Sequence, residues 1–548
     1  MTATAISQAQ AGMLTAPPQD TINAALRRAA TETPDRVFLD FGGEIYRFAD
    51  IDRLATEMAH GLLAAGVKPG EPVATILKNS LWSVVCWFAI NKIMAIYAPA
   101  NTAFKGDYLH SQVEDCGASV VIVDHELTHR VREIADRLPA LRHVFSIDGM
   151  DSSQEGVVSY RPHSILMTGN FTDIPDEARP ETVSMLVYTS GTTGKSKGCM
   201  IPHNQVANMG WGGILNRGIT ADDVIFTPLP LFHLNAIGAT IATCLIARCR
   251  ATIVEKFSVS GFWPEVKRSG ATIAGMLGSM VELIANAPDS PEAAACFGQL
   301  RQVNAAPFPP ATLQKWETRF GVKGAGSRAY GMTEAATIST LRPGDGTGPD
   351  NSSGRVGYDF DVMIADDNGL PVPVGTAGEI LCRPNRPNIM FRGYWNRFDE
   401  TIAAFRDMWF HTGDIARLDD NGFLFFLDRK KDYIRRRGEN ISTMEVEAIF
   451  RKHPAIKDVA VHSVLSPLGE DDVKITAEIN PDVPVSEEEL CRWSIDQLPY
   501  FAIPLYIEFR EELPRGATGK VLKHQLRDEG KTATTWDREE AGLTFEKK

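Results

Sequence analysis

The chain has 548 residues, of which 44% are hydrophobic and 23% are charged, and its formal net charge is −13. These ordinary globular values exclude collagen-like, coiled-coil and largely disordered proteins, and the length allows about three to five domain-sized units. An acidic surface disfavours general binding to nucleic acid or to an anionic membrane, although a site within it can be locally basic.

Eight cysteines are scattered along the chain without a C-x-x-C pair, so we expect a reduced protein rather than a disulfide scaffold or a cysteine-rich zinc site. The N-terminus lacks the basic start and apolar run of a secretory signal. The longest apolar runs, Leu81–Ile90 and Ala236–Ala247, are shorter than the roughly 20 residues of a membrane span. We therefore predict a cytoplasmic protein with no integral membrane segment.

The first 20 residues are small and polar, which indicates a flexible lead-in. Next, an apolar stripe of Leu54, Met58, Leu62 and Leu63 predicts a helix over Ile51–Ala65, with Gly66 as its C-cap. Short apolar runs predict buried strands at Val73–Leu77, Ser119–Val123, Met185–Tyr188, Val224–Thr227 and Thr272–Ala274. Strands that alternate with helices predict an α/β fold with a mostly parallel sheet.

The pattern changes after about residue 343, where Gly, Pro and Asp punctuate short strands and indicate an antiparallel, barrel-like region over Gly357–Phe426. A compact α+β unit is predicted after a strongly basic stretch, with helices at Thr443–Lys452 and Ser486–Gln497 and strands at Asp458–Ser463 and Val473–Ile479. We thus expect an N-terminal domain over residues 21–427, a hinge at 428–432, and a small mobile C-terminal domain with a polar tail over 433–548.

A glycine-rich segment, Tyr188–Gly198, directly follows a predicted strand and contains Thr and Ser hydroxyls and the two lysines Lys195 and Lys197. Glycines expose backbone N–H groups, and together with hydroxyls and lysines they can bind polyphosphate. The segment is not a Walker A loop, because Thr189 stands where the first glycine of that motif belongs.

This segment resembles the phosphate loop of the adenylate-forming superfamily, which includes acyl-CoA synthetases, adenylation domains of peptide synthetases and beetle luciferases. Five further segments resemble the motifs of that superfamily in the same order, namely Leu229–His233, Tyr330–Glu334, Phe410–Asp414, Asp428–Asp432 and Leu513–Lys520. One motif can arise by chance, but six in order cannot. The region Asp222–Gly331 and the tail at Trp536 are most similar to crotonobetaine/carnitine–CoA ligases.

The resemblance implies ATP, Mg²⁺ and coenzyme A as ligands. It implies ATP contacts at Thr189, Ser190, Gly191, Thr192, Thr193, Gly194, Lys195, Tyr330, Gly331, Asp414 and Arg429. It assigns catalytic roles to Thr333, Glu334, His233 and Lys520, with Glu334 also holding the metal, and a hinge role to Lys431. Gly438 and Glu439 are implied to face the site when CoA reacts.

The chemistry agrees with these roles, because a carboxylate that attacks the α-phosphate of ATP approaches an anion while pyrophosphate leaves. The site must spread that charge over a metal, N–H groups and a cation that can move, such as Lys520. Glu334 offers the hard oxygen that Mg²⁺ prefers. For His233 two interpretations stay open, a gate to the acyl pocket and a packed core histidine.

The predicted walls of the acyl pocket are Phe232, His233, Gly278, Asn304, Ala305, Ala306 and the residues that flank them. No Lys or Arg clusters among these positions, which favours monocarboxylates. Two departures from the superfamily pattern stand out, since Asn304 replaces a glycine beside the pocket and Asp428 replaces the glycine before Arg429.

A rival motif, His125-Glu-Leu-Thr-His129, spells H-E-x-x-H and could place two histidines on one helical face for zinc. The metzincin continuation requires a glycine at position 132, where this chain has Arg132. With Asp124 expected as an N-cap after a predicted strand, we interpret the motif as the exposed first turn of a helix.

Three functions are compatible with these features. The first is an acyl-CoA ligase that forms an acyl-adenylate from a small-molecule carboxylic acid and transfers the acyl group to CoA, acting as a monomer or homodimer. The basic run Arg435–Arg437 could meet the CoA phosphates or could be a solvated charge run. The second passes the adenylate to a carrier-protein phosphopantetheine or to oxygen, and the third is a non-catalytic nucleotide-binding regulator.

Overall fold

A computed structural model describes residues 17–149, 152–189, 196–305, 308, 310–326, 328–342, 344–346, 348–350, 352–366, 368–429, 433–436, 439–466, 471–515, 521 and 523–544. Most of the predicted lead-in lies outside these residues. The helices are α1 (Ile22–Glu32), α2 (Phe48–Ala64), α3 (Leu81–Lys92), α4 (Gly106–Cys116), α5 (Thr128–Arg132), α6 (His203–Arg217), α7 (Leu234–Ala236), α8 (Thr243–Ala247), α9 (Val259–Ser269), α10 (Gly278–Asn286), α11 (Pro291–Ala295), α12 (Pro310–Phe320), α13 (Phe398–Ala404), α14 (Thr443–Phe450), α15 (Glu487–Gln497) and α16 (Lys523–Glu529).

The strands, in chain order, are β1 (Val37–Phe41), β2 (Glu44–Arg47), β3 (Pro72–Ile76), β4 (Ile96–Pro99), β5 (Val120–Asp124), β6 (His143–Ile147), β7 (Ser153–Glu155), β8 (Val158–Pro162), β9 (Val183–Thr189), β10 (Lys197–Pro202), β11 (Val224–Thr227), β12 (Arg250–Ile253), β13 (Ile273–Gly275), β14 (Gln302–Asn304), β15 (Gly324–Ala325), β16 (Ala329–Met332), β17 (Ala336–Thr340), β18 (Arg355–Val356), β19 (Phe360–Ala365), β20 (Gly378–Pro384), β21 (Phe405–Arg406), β22 (Trp409–Leu418), β23 (Leu424–Arg429), β24 (Tyr433–Arg436), β25 (Glu439–Ser442), β26 (Ile456–Leu465), β27 (Asp471–Ile479), β28 (Tyr506–Arg510) and β29 (Trp536–Asp537).

Two large sheets form the N-terminal part of the fold. One has the order β10-β9-β4-β3-β5-β6-β8-β7 and the other β15-β14-β13-β11-β12-β1-β2, and in both the central pairs are parallel. Their central strands are buried on both faces, as a parallel sheet covered by helices requires. The predicted α/β class is confirmed, and each predicted strand lies within two residues of an observed one.

An antiparallel sheet with the order β19-β20-β22-β21, to which β23 adds beside β22, follows these two sheets. It is the antiparallel, barrel-like region expected over Gly357–Phe426. The chain then forms the β24–β25 hairpin and a sheet of order β26-β27-β28-β29, packed against α14 and α15. The capping box predicted for α15 is present, since Ser486 and Glu489 exchange hydrogen bonds of 2.8–3.2 Å.

Some local predictions need correction. Leu63, expected on the apolar face of α2, is 43% exposed, because the buried stripe of that helix runs through Met58, Ala59 and Leu62. Asp124 precedes the helical turn of the H-E-x-x-H segment, but its carboxylate accepts the backbone N–H of Lys78 at 2.7 Å instead of capping that turn.

In the basic run Arg435–Arg437, Arg436 is not the solvated charge that one interpretation predicted. This side chain is buried, lies 2.9 Å from the Asp472 carboxylate and donates to the carbonyls of Phe501 and Ile503. Arg436 therefore joins the hairpin to the small sheet and is not a solvated charge.

All eight cysteines are buried free thiols. In the described part of the chain, no helix is both long enough and apolar enough to cross a membrane.

Candidate active site

A cavity of about 1770 Å³ opens beyond the carboxyl ends of β11, β13 and β14. The register of the parallel ladder aligns these ends, since Gly275 pairs with Asn304 and Phe226 pairs with Ala274. The loops that follow the strands therefore meet at one edge, which is where open α/β sheets place their ligands.

Of the predicted site residues whose side chains the structure describes, all but Gly278 lie in the wall of this cavity. Its wall includes Thr189, Phe232, His233, Asn304, Ala305, Tyr330, Gly331, Thr333, Glu334, Asp414 and Glu439. Gly278 is buried at the start of α10 and does not line the cavity, although its neighbours Leu277 and Ser279 do. Outside the described residues lie Ser190, Gly191, Thr192, Thr193, Gly194, Lys195, Ala306, Lys431, Gly438, Lys520 and the side chain of Arg429.

A buried carboxylate marks one end of the cavity. The Tyr330 hydroxyl donates to Oδ2 of Asp414 at 2.7 Å, and the Tyr330 ring stacks on Phe426 at 5.9 Å between centroids. Burial, followed by the charge of Asp414, raises the pKa of Tyr330, so the phenol stays a donor. Arg429 lies opposite Asp414 in the β22–β23 ladder, which places both predicted ribose contacts at one register position.

The close approach of two strands explains the glycine that follows Tyr330. A Cβ built at Gly331 would lie 1.9 Å from the carbonyl oxygen of Ala336, so β16 and β17 can pair here only without a side chain. The exposed surface of Gly331 forms part of the cavity wall.

Glu334 is buried beside Tyr394, a residue that the motifs did not single out. The Tyr394 hydroxyl donates to Oε1 of Glu334 at 2.9 Å, and burial together with the Glu334 charge raises the pKa of Tyr394. Lys197 lies 4.8 Å from the centre of the Tyr394 ring and pairs with Glu400 at 2.6 Å. Lys197, expected among the polyphosphate donors, thus has a carboxylate partner in this arrangement.

The aromatic–histidine loop is held by a residue that sequence reasoning missed. Asn79 donates to the carbonyls of Leu229 and Val254 at 2.9 and 3.0 Å and accepts the N–H of Leu231 at 2.8 Å. The sequence contained one indication of this role, because Asn79 is an amide residue just beyond the carboxyl end of the buried strand β3.

His233 lies in the cavity wall and is not a packed core histidine. Its Nε2 is 3.3 Å from Oε2 of Glu439, and its ring lies 4.6 Å from the Phe232 ring. Since Glu439 belongs to the β24–β25 hairpin, this contact brings the C-terminal unit to the loop beyond β11.

Other contacts join the same two parts. The Ser196 hydroxyl donates to Glu445 at 3.3 Å, and Lys452 pairs with Asp107. Phe104 also packs on Phe501, with 6.4 Å between the ring centroids.

Helix α6 supplies a wall that the motifs did not predict, with Asn208, Gly212, Gly213, Asn216 and Arg217 facing the cavity. The run of small residues in α6 was the available signal, since glycines let a helix approach a ligand or another helix closely.

No group of three or more His, Cys, Asp or Glu side chains in the described ranges is placed to hold a metal. Glu334 is a single hard-oxygen donor on the cavity wall. Such a donor suits a magnesium ion whose other ligands are phosphate oxygens and water.

Comparison with known proteins agrees with this geometry. The family described as AMP-binding enzyme matches residues 26–395, and the AMP-binding enzyme C-terminal domain matches residues 445–520. The crotonobetaine/carnitine–CoA ligase of Escherichia coli O157:H7 (strain EC4115 / EHEC) is 29% identical over 88% of this chain and 93% of its own length.

Among solved structures, o-succinylbenzoate CoA synthetase from Bacillus subtilis is 26% identical and is matched in two complexes. A double mutant bound with the product analogue OSB-NCoA superposes with a TM-score of 0.80, covering 92% of this chain and 98% of that one. The complex of the same enzyme with AMP has the same coverage but a TM-score of 0.65.

The family match spans well over half of the chain, and it coincides with a cavity in which the motif residues come together. The expected membership is confirmed: the chain belongs to the AMP-binding enzyme family and is an adenylate-forming acid–thiol ligase of the acyl-CoA synthetase type.

Proposed function

We propose that this chain uses ATP to convert a carboxylic acid into an acyl-adenylate, releases pyrophosphate, and then transfers the acyl group to the thiol of CoA. The observation that carries the proposal is the contact between Glu439 of the C-terminal unit and His233 of the N-terminal part, across the wall of the cavity. It supports a role for the C-terminal hairpin at the site.

The nucleotide would lie at the end of the cavity where Asp414 and Tyr330 meet. The Asp414 carboxylate is a hydrogen-bond acceptor suited to ribose hydroxyls, and the Tyr330 hydroxyl orients it at 2.7 Å. Thr333 would contact phosphate from the strand end that carries Gly331. The glycine-rich segment of residues 190–195, which follows Thr189 at the end of β9, would supply backbone N–H groups to the same phosphates.

Glu334 would hold Mg²⁺ through its carboxylate, with the Tyr394 hydroxyl fixing the orientation of that group. The ion, when bound, would neutralise phosphate charge. The contribution of this chain is to keep Glu334 buried and to surround the reacting groups with side chains in place of bulk water.

The arrangement of the two parts supports a role in the second half-reaction. One enzyme, o-succinylbenzoate CoA synthetase, gives a TM-score of 0.80 when it carries a CoA product analogue and 0.65 when it carries AMP. We infer that the present arrangement corresponds to thioester formation. A rotation of residues 433–548 about Lys431 would bring Lys520 to the cavity for adenylation and withdraw it afterwards.

The experiment that tests the proposal follows both half-reactions with a panel of carboxylic acids. Acid-dependent exchange of pyrophosphate into ATP reports adenylation, and mass spectrometry of acyl-CoA reports transfer to free CoA. Crotonobetaine and carnitine, which name the relatives, are the first acids to include.

We expect both signals with at least one acid. Exchange without acyl-CoA would replace CoA by a carrier-protein phosphopantetheine as the acceptor. The absence of exchange with every acid would favour a regulator that binds nucleotide without catalysis.

A further inference from the structure

Arg217, the last residue of α6, places a guanidinium group in the wall of the cavity. Its Nη2 donates to the carbonyl of Ala239 at 3.0 Å and lies 3.4 Å from the hydroxyl of Thr243. Burial lowers the pKa of Arg217 to about 10, so the group is still a cation at neutral pH. Both of its hydrogen-bond acceptors are neutral.

In the described part of the chain, no carboxylate forms an ion pair with Arg217. Other arginines near the sheets differ in this respect, since Arg301 pairs with Asp223 at 2.7 Å and Arg397 pairs with Asp115 at 2.8 Å. Arg217 is half-buried, and a cation whose acceptors are neutral forms a stronger, charge-assisted hydrogen bond when an anion enters the site.

The helix provides space for this cation. A side chain in a helix leans toward the preceding turn, where Gly213 stands four residues before Arg217. A Cβ built at Gly213 would lie 2.9 Å from Nη2 of Arg217 and 2.4 Å from Thr243. The guanidinium therefore lies along the helix surface, in space that the side chain of any residue other than glycine at position 213 would fill.

A second donor belongs to a residue in the wall of the same cavity. Nδ2 of Asn304 is buried and has no hydrogen-bond partner among the residues that the structure describes, although a buried amide normally has one. The two donors belong to adjoining walls. Thr240 directly follows Ala239, whose carbonyl accepts from Arg217, and the Thr240 hydroxyl lies 3.9 Å from a Cβ built at Gly275. Gly275 in turn pairs with Asn304 between β13 and β14.

We propose that the acid activated by this chain carries a second negatively charged group, remote from the reacting carboxylate, which pairs with the Arg217 guanidinium while the Asn304 amide donates to the same acid. This assignment rests on the proposed function and names its substrate class as dicarboxylates. It reverses the preference for monocarboxylates that was drawn from the sequence. That preference did not take Arg217 into account, because Arg217 lies outside every motif that pointed to the pocket.

The same arrangement disfavours two other classes of acid. An acid with an apolar tail would leave the guanidinium without an anion and the Asn304 amide without an acceptor, and sites built to bond a polar group reject analogues that lack it. An acid with a distal quaternary ammonium group would add like-charge repulsion.

The test compares α,ω-dicarboxylates of four to eight carbons with monocarboxylates and ω-trimethylammonium acids of equal length. The measured quantity is kcat/KM for pyrophosphate release. We expect at least one diacid to exceed its matched monoacid by tenfold or more. A wild-type preference for a monoacid or an ammonium acid would overturn the assignment without any variant.

Variants then separate recognition from structure. Arg217→Gln should lower kcat/KM for the diacid at least tenfold, mainly through KM, while the matched monoacid changes less than twofold. Arg217→Lys, which keeps the charge, should restore part of the preference. The matched control is Arg248→Gln, since Arg248 pairs with Glu32 and lies outside the cavity wall.

Each outcome has a distinct meaning. Equal losses for diacid and monoacid in Arg217→Gln would assign Arg217 to helix packing and contradict the inference. If Arg217→Gln does not fold, Asn304→Ala replaces it, and an unchanged selectivity in that variant would also contradict the inference. Efficient acyl-CoA formation from monoacids would refute the diacid class and leave the proposed function intact, whereas the absence of product from every acid would refute the proposed function.

Discussion

The contact between His233 and Glu439 gives a quantitative test of how the two parts of the chain cooperate. Glu439→Gln removes the charge and keeps the shape of the side chain. The two groups are 3.3 Å apart, and their side chains are 38% and 11% exposed. A hydrogen bond to a carboxylate contributes about 1.5–3 kcal/mol when it is shielded from water, and less where water competes for it.

Because the histidine is more than a third exposed, we expect a coupling of about 1 kcal/mol, near the upper limit measured for solvent-accessible pairs. That energy corresponds to about a fivefold change in rate. The contact forms in the arrangement assigned to thioester formation, so the effect should fall on that step and leave adenylation unchanged.

The assay is a double-mutant cycle with Glu439→Gln, His233→Gln and the double variant. Each protein is measured in pyrophosphate exchange and in acyl-CoA formation from preformed acyl-adenylate. Glu488→Gln is the control, because Glu488 pairs with Arg492 within α15. Additive losses in the thioester step, or equal losses in both half-reactions, would refute the assignment of this contact to the second step.

Three further predictions concern other parts of the chain. Lys520→Ala should suppress pyrophosphate exchange strongly and leave thioester formation from preformed acyl-adenylate largely intact, and equal loss of both steps would contradict a moving lysine. Gly331→Ala should lower the free energy of unfolding by about 3 kcal/mol, because its methyl group would meet the Ala336 carbonyl at 1.9 Å. Chemical denaturation measures this loss, and Gly212→Ala, with its nearest contact at 3.6 Å, is the stability control. Burial lowers the pKa of His203 from 6.5 to about 3, and its Nδ1 accepts the N–H of Ile22 at 3.2 Å. The unfolded chain therefore binds a proton that the folded chain does not, and His203 should reduce stability by up to about 1.4 kcal/mol per pH unit as the pH falls below 6.5. Denaturation of wild type and His203→Gln across this range tests the effect, and parallel pH profiles would contradict it.

The sequence was most informative where one local rule decides the structure. Buried parallel strands such as β5 and β11 consist of continuous β-branched and apolar residues, so their positions could be predicted within a residue or two. The start of α15 was predictable because a capping box satisfies its own backbone donors locally. Several motif residues, such as Tyr330, Glu334 and Asp414, lie in the cavity wall, and they could be named from the sequence because each belongs to a short local motif.

Features that depend on distant packing could not be predicted. The role of Asn79 depends on carbonyls about 150 and 175 positions away in the chain. Arg436 lies in a basic run, and its burial becomes evident only when Asp472 and Phe501 are folded against it. Arg217 was missed because a cation at a helix end is normally a favourable but exposed feature.

The burial of all eight cysteines has a practical consequence for studying the motion proposed for this enzyme. Thiol-specific reagents react with accessible thiolates, so a maleimide should not label the native chain. A cysteine introduced on α15 and another on the surface of α4 would then be the sites that accept a fluorophore pair. Distance changes during turnover could be followed by energy transfer in the otherwise unaltered protein, without first replacing any native cysteine.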